Sequence, residues 1–126
     1  AMPTLQAVHH VQLTIAPEQE AAAYAFYTEV MGLKTLPKPP ALEGRGGFWC
    51  VLGAVQIHVG IEKNLPQNRG KAHIAYAVED LAAWRKHLSA QGIELVESIA
   101  LPGMDRFECR DPFGNRMEFL SLHAEG

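Results

Sequence analysis

An internal repeat constrains the fold of this chain more than any other feature. The segment 10–15, HVQLTI, returns at 73–78 as HIAYAV, 63 residues further along. Each copy leads into a stretch with helical apolar spacing, which ends at Gly32 in the first copy and at Gly92 in the second. A Phe-X-Cys pattern also recurs, at 48–50 and 107–109. The chain is therefore expected to fold as two similar halves.

Apolar periodicity predicts the order strand, helix and three strands in each half. In the first half, strand 10–15 precedes a helix that opens near Pro17 and carries Ala23, Phe26, Tyr27 and Val30 on its apolar face. Segment 34–47 holds three prolines and three glycines and is predicted to be a loop at a cavity mouth. A hairpin, 48–52 with 55–61, turns at Gly53.

The second half repeats this order. Strand 73–78 leads into a helix that is capped by Glu79 and Asp80 and packs through Leu81, Trp84 and Leu88. A strand at 93–98 and a hairpin, 107–110 with 115–122, follow. The prediction is one α+β domain, 1–126, built from two βαβββ modules at about 6–63 and 70–123, with 64–70 as the linker.

Composition and charge narrow the class of protein. The chain is 48% apolar and 20% charged, which is ordinary for a globular domain. Its net charge is −3, with 11 basic and 14 acidic residues and no basic run, so no nucleic-acid partner is expected. No signal-peptide pattern and no span of about 20 apolar residues occurs, so we expect no membrane partner and a cytoplasmic location. Cys50 and Cys109 are expected to be free thiols, although their number alone also allows a disulfide.

Strand parity and the repeat together single out four candidate metal ligands. His10 matches His73 in the two copies, and His58 matches Glu118, at offsets of 63 and 60 residues. Side chains alternate between the faces of a strand, so each of the four lies on the face opposite the apolar residues that must pack under a helix. Three imidazoles and a carboxylate suit Zn, Ni, Fe or Mn better than Ca. We therefore predict one divalent metal bound by His10, His73, Glu118 and His58.

The alternative for a single strand histidine is a surface or hydrogen-bonded residue, but agreement in both parity and repeat position favours ligands here. For His58, a role in orienting another ligand or in contacting substrate stays open. Phe48 and Phe107 are either core residues or walls of the cavity. Together with Gln12, which shares the face of His10, they are the predicted substrate-binding residues.

Several motifs resemble the vicinal oxygen chelate superfamily, the glyoxalase, bleomycin-resistance and extradiol dioxygenase group. They are HVQL at 10–13, Phe26-Tyr27 with Gly32-Leu33, HIA at 73–75, EDL at 79–81 and DPFGNRME at 111–118. The resemblance covers essentially the whole chain. It implies paired βαβββ modules that form a glyoxalase-like open cup around a metal cavity, with metal positions at His10, His58, His73 and Glu118.

The resemblance leaves three functions open. The first is a divalent-metal-dependent, glyoxalase-like lyase or isomerase that chelates two vicinal oxygens of a small substrate, with Glu118 as the catalytic base. Glyoxalase I usually carries a carboxylate where this chain has His58. The second is an Fe(II) extradiol dioxygenase that uses His10, His73 and Glu118. The third is a non-catalytic protein that binds a drug or metabolite, as bleomycin-resistance proteins do.

No GxGxxG or phosphate-binding loop is present, so no nucleotide cofactor is expected. The small size of each half favours a homodimer.

Overall fold

The structure, a computed structural model, describes residues 2–66 and 68–123. The chain divides into two compact units, Ala1–Leu65 and Pro66–Gly126, called here the first and second unit. The boundary lies inside the predicted linker 64–70. In the described part of the chain, no helix is long and apolar enough to span a membrane.

The first unit is a four-stranded mixed sheet with helical segments in its connections. Its elements are β1 (His10–Ile15), a 3₁₀ helix (Pro17–Gln19), α1 (Glu20–Ala25), a π-helix (Phe26–Val30), β2 (Lys34–Leu36), a second 3₁₀ helix (Pro40–Arg45), β3 (Phe48–Leu52) and β4 (Val55–Ile61). The strand order is β1-β4-β3-β2. Strands β1 and β4 are parallel, and the other neighbours are antiparallel.

The second unit repeats this topology. Its elements are β5 (His73–Ala77), α2 (Leu81–Ala90), β6 (Val96–Glu97), β7 (Met104–Arg110) and β8 (Arg116–Leu122). The strand order is β5-β8-β7-β6, with β5 and β8 parallel and the other pairs antiparallel. The prediction of two βαβββ modules of the α+β class is confirmed.

The helical segment of the first unit changes geometry along its length. Ala23 and Tyr27 are fully buried, as the apolar spacing predicted. Gly32 ends the segment with φ +72°, and the amide of Leu33 donates to the carbonyl of Tyr27 at 3.0 Å. Val30 is only half-buried, although the apolar spacing predicts it on the buried face. The π-helix explains this, because its wider turn shifts the residues after Tyr27 away from α-helical spacing.

Helix α2 follows its prediction closely. The carboxylate of Asp80 accepts a hydrogen bond from the amide of Ala83 at 3.0 Å and so caps the first turn. Leu81 and Leu88 are buried, and the ring of Trp84 stacks on Phe119 with 5.3 Å between centroids.

The prediction of a loop at 34–47 is wrong in part. This segment contains β2 and the 3₁₀ helix Pro40–Arg45, and Pro40 fits because a helix's first turn needs no amide donor. Two contacts hold the segment in place: Lys38 Nζ donates to the Gly46 carbonyl at 2.5 Å, and the Gly47 amide donates to Glu20 Oε1 at 2.5 Å. A side chain at Gly47 would collide with the Val59 carbonyl, and its φ is +80°.

The strand predicted at 93–98 is shorter than expected. Only Val96 and Glu97 pair with β7, opposite Glu108 and Phe107. These two residues form the sheet edge, so pairing on one side alone supports the strand.

In each unit, one face of the sheet carries the apolar core and packs against the unit's helix. The core residues of the sheets are Ile15, Phe48, Cys50, Ile57 and Val59 in the first unit, and Tyr76, Phe107, Cys109, Met117 and Phe119 in the second. Both cysteines are free and buried, which confirms the expectation of thiols. The opposite face, called here the helix-free face, carries the candidate ligands.

Candidate functional site

Three stacked rings cross the helix-free face of the first unit. The register places His58 beside Gln12 of β1 and Trp49 of β3. The His58 ring stacks on His10 at 4.1 Å between centroids and on Trp49 at 3.9 Å, with interplanar angles of 13° and 4°. One imidazole is therefore held between another imidazole and an indole.

His58 is held as a neutral imidazole. It is only 5% exposed, and its Nε2 lies 2.9 Å from Gln56 Oε1. Because the amide oxygen can only accept, Nε2 carries the proton and the lone pair lies on Nδ1. Burial lowers the pKa of His58, and the nearby His10 and His9 lower it further. A neutral imidazole is the form that binds metals.

His10 is exposed at the end of the ring stack. Its Nδ1 lies 3.0 Å from Nδ1 of His9, so one of these nitrogens donates to the other. Gln12 lies next along β1, over Gly60, where an added Cβ would sit 2.5 Å from Gln12 Nε2. The absence of a side chain at Gly60 thus leaves room for Gln12.

A cavity of about 510 Å³ lies within the first unit. His10, Gln12, Trp49 and His58 line one part of it, and Lys38 and Arg45 line another. This volume is in the range of small-molecule sites.

On the second unit, His73 faces Glu118. The register sets Glu118 beside Ala75, two pairs along from His73 and Arg116 and therefore on the same face of the sheet. His73 Nδ1 lies 2.8 Å from the carbonyl of Lys71, and Nε2 lies 3.3 Å from Glu118 Oε2. Both neighbours are acceptors, so His73 can donate to the Lys71 carbonyl through Nδ1 and to the Glu118 carboxylate through Nε2.

Arg106 binds the other carboxylate oxygen of Glu118. Its Nη1 lies 2.6 Å from Glu118 Oε1 and 3.7 Å from Glu108 Oε1. Glu108 in turn pairs with Arg116 at 2.5 Å. The hydrogen bond from Arg106 lowers the pKa of Glu118, and His73 adds to this, whereas burial opposes it. Glu118 is therefore ionised at neutral pH, and Arg106 largely compensates its charge.

The predicted wall residues Phe48 and Phe107 lie in the core. Phe48 contacts Tyr24 edge-on at 5.3 Å, and Phe107 stacks on Phe119 with Arg85 over its ring. These positions favour the core alternative over substrate contact. The helix-free face is instead lined by Trp49 and Arg106, which the sequence reasoning missed. Strand parity points to both, because Trp49 follows Phe48 and Arg106 precedes Phe107, so each side chain lies on the face opposite its phenylalanine.

The structure brings the candidate ligands together as two pairs, His10 with His58 in the first unit and His73 with Glu118 in the second. Within residues 2–66 and 68–123, no three His, Cys, Asp or Glu side chains form a group able to hold a metal ion. The four-residue metal site therefore stays a prediction. The donor types nonetheless fit a divalent transition metal, and the bond from His73 to Lys71 is the kind that orients a ligating imidazole.

Comparison with known proteins places the chain in a family. The profile of the Glyoxalase/Bleomycin resistance protein/Dioxygenase superfamily matches residues 7–119. A crystal structure of a Bacillus anthracis protein, described as of the glyoxalase family, is 38% identical with a TM-score of 0.87, over 97% of this chain and 99% of that one. The chain therefore belongs to this superfamily, as its motifs had indicated.

Two more distant structures share the fold. A lactoylglutathione lyase from Agrobacterium tumefaciens has 24% identity and a TM-score of 0.70, over 94% of this chain and 96% of its own. TnmS3, an antibiotic binding protein from Streptomyces sp. CB03234, has 16% identity and a TM-score of 0.74, over 96% and 99%. One is an enzyme and one a binding protein, so the shared fold does not choose between these functions. No curated protein sequence matches the chain.

Proposed function

We propose that this protein is a divalent-metal-dependent, glyoxalase-like enzyme acting on a small substrate with two adjacent oxygens. The observation that carries the proposal is the His73–Glu118 pair. His73 is oriented by the Lys71 carbonyl, and its Nε2 faces an ionised carboxylate oxygen at 3.3 Å. His10 and His58 are the further proposed ligands.

The metal, Zn, Ni, Fe or Mn, would act as a Lewis acid toward both substrate oxygens. Glu118 is the proposed general base, and its Oε2 is the atom that would accept the proton. Arg106 restrains this role, because the bond to Oε1 that keeps the carboxylate ionised also weakens it as a base. Glu118 is therefore a weaker base while Arg106 holds Oε1, and a longer Arg106–Oε1 contact would strengthen it.

Metal content and affinity test the proposal. Elemental analysis of the purified protein should find one divalent metal per chain. After the metal is removed by a chelator, titration calorimetry should show that one Ni or Zn ion binds per chain. His73→Ala and Glu118→Gln should each weaken binding by about 10-fold or more. The matched control His87→Ala, on the exposed side of α2, should bind as the wild type does. Equal, weak binding by all four proteins would overturn the proposal.

The second candidate is a non-catalytic binding protein, and the Arg106–Glu118 contact at 2.6 Å favours it. A carboxylate whose charge is already compensated needs no metal. Under this alternative the protein would bind ligand fully after chelation and show no turnover. Methylglyoxal–thiol and oxygen-uptake assays separate the reactions, because only an Fe(II) dioxygenase consumes oxygen with catechols.

We also propose a homodimer. Three apolar residues of the N-terminal segment, Met2, Leu5 and Val8, are 87%, 100% and 62% exposed in the single chain. Covering them in a second copy would remove this apolar surface from water. Sedimentation at micromolar concentration should give twice the chain mass of 13.8 kDa. A mass of one chain across that range would contradict the proposal.

A further inference from the structure

The cavity of the first unit has a charge that the proposed function does not explain. Lys38 and Arg45 both line it, and no Asp or Glu is among its lining residues. Lys38 donates to a neutral carbonyl, that of Gly46, and forms no ion pair with any residue in the described ranges 2–66 and 68–123. Arg45 makes no hydrogen bond or ion pair within the described residues. Two positive charges therefore face a cavity of about 510 Å³.

The segment that carries these cations is fixed rather than loose. The Lys38–Gly46 contact closes it into a loop, and the Gly47 amide is tied to Glu20 of α1. That bond also engages the Glu20 carboxylate with a backbone donor, and Glu43, within the segment itself, is exposed and is not among the residues that line the cavity. Gly46 and Gly47 have φ of +73° and +80°, which side chains rarely adopt, and both lie against β4. The backbone that carries the two cations is thus fixed beside the cavity.

The opposite part of the lining is aromatic. Trp49 is half-buried and continues the ring stack of His58 and His10. The stack offers a flat apolar surface and, at its edges, imidazole nitrogens.

We propose that the substrate of this site is a small organic anion, whose carboxylate or phosphoryl oxygens bind Lys38 and Arg45 while its flat or apolar part contacts Trp49. The inference rests on the proposed function only in taking this cavity as the substrate site. Charge-assisted hydrogen bonds from both cations would select the anion over a neutral compound of equal shape.

A matched pair of probes tests this selection. 2-Naphthoate and 2-naphthamide share a ring system and differ in charge. Both are titrated into chelated, metal-free protein, and binding is followed by amide and indole chemical shifts. Wild-type protein should bind the naphthoate at least about 10-fold more tightly, a difference of about 1.4 kcal/mol. The Trp49 indole resonance should shift, and the preference should shrink as salt is added.

Charge-matched variants locate the effect. Lys38→Gln with Arg45→Gln should abolish the preference for the anion. Lys34→Gln with Lys63→Gln removes the same charge from exposed positions outside the cavity and should leave the preference intact. Should Lys38→Gln unfold the chain, Lys38→Arg with Arg45→Gln replaces it and should weaken the preference in part. Equal affinity of the wild type for the two probes, or equal loss in both double variants, would overturn the inference.

Because the titration uses metal-free protein, its outcome is separable from that of the metal experiment. An anion preference without metal binding would refute the metal-dependent enzyme and leave the anion site standing. Metal binding without an anion preference would refute the anion site and leave the metal-dependent enzyme standing.

Discussion

The two units have the same topology but carry opposite chemistry on their helix-free faces. The first presents a stack of rings, His10, His58 and Trp49, beside Lys38 and Arg45, which form no ion pair in the part of the chain that the structure describes. The second presents alternating charges, in which Arg106 pairs with Glu118 and Arg116 with Glu108. Trp49 and Glu108 occupy equivalent strand positions. The repeat has therefore kept the backbone and the buried face, while the residues opposite diverged into one half suited to binding anions and one that holds a compensated carboxylate.

The buried faces of the two units differ less than the helix-free faces. Truncating one equivalent phenylalanine in each unit tests how closely the two cores match, and it is the change with the largest expected effect. Phe107 is fully buried and stacked on Phe119, whereas its equivalent Phe48 is 8% exposed and contacts Tyr24 edge-on. Phe107→Ala should cost about 4 kcal/mol of unfolding free energy and Phe48→Ala about 3 kcal/mol, measured by urea denaturation. Leu122→Ala, at a position 65% exposed, is the control and should change it by less than about 0.5 kcal/mol. A small effect at both phenylalanines would contradict their assignment to the core.

The buried faces were predictable because strand alternation and helical spacing leave few choices. Tyr27, Leu81 and Leu88 are core residues, as their spacing required. The order in segment 34–47 was not predictable, since it depends on Lys38 reaching Gly46 and on Gly47 reaching Glu20, 27 residues away. Local sequence carries no signal for such contacts.

The two buried thiols offer a second comparison, one of pH dependence. Burial raises the pKa of Cys109 from 9.0 to about 11, and Asp111 adds to this; burial also raises the pKa of Cys50. A raised folded-state pKa stabilises the fold fully below the unfolded value of 9.0. That contribution is lost as pH rises from 9 toward 11, because the unfolded thiol ionises first. The loss attributable to Cys109 should approach about 2 to 3 kcal/mol.

The measurement is the unfolding free energy of wild type and Cys109→Ala between pH 8 and pH 11. Subtracting one unfolding free energy from the other cancels the contributions of the Lys and Tyr residues, which titrate in both proteins. Above pH 9, the unfolding free energy of the wild type should fall faster with pH than that of Cys109→Ala. Parallel curves would contradict the assigned shift.

A third prediction concerns the compensated carboxylate of the second unit. Arg106→Gln removes the hydrogen bond that lowers the pKa of Glu118, so this pKa should rise, as NMR titration of the carboxyl carbon would show. Glu118 contributes stability above its unfolded-state pKa and loses it as pH falls through the folded value. In the variant, that loss should be smaller and should be complete at a higher pH, because the folded-state pKa of Glu118 lies closer to the unfolded-state value. The variant should also be destabilised by about 1.5 kcal/mol at pH 7, the low end for a bond to a charged group, since Arg106 is 18% exposed.

Arg116→Gln is the matched control, because it breaks the neighbouring pair with Glu108 and leaves Arg106 in place. It should not move the pKa of Glu118 as far. A pKa that is unchanged in Arg106→Gln would mean that another group holds the carboxylate ionised.

The candidate site shows where sequence reasoning succeeds and where it fails. Parity placed His10, His58, His73 and Glu118 on the correct faces, because alternation is a property of the backbone. It did not reveal the partners of these side chains. Arg106 lies 12 residues before Glu118 and reaches it only through the β7–β8 register, and Gln56 engages a His58 nitrogen through the geometry of one strand.

The smallest expected effect is a change in metal affinity, which separates the roles of His58 and His73. His58 is fixed between two rings, and its Nε2 is bonded to Gln56, so only Nδ1 is available to a metal. His73 presents Nε2 with its other nitrogen already satisfied by a carbonyl. We therefore expect His58→Ala to weaken Ni or Zn binding by about 10-fold, or about 1.4 kcal/mol, and His73→Ala to weaken it further. Gln56→Ala frees the His58 ring without removing it and should change affinity by less than His58→Ala. Wild-type affinity in His58→Ala, with binding abolished in His73→Ala, would reduce the ligand set to three and leave His58 as a part of the ring stack alone.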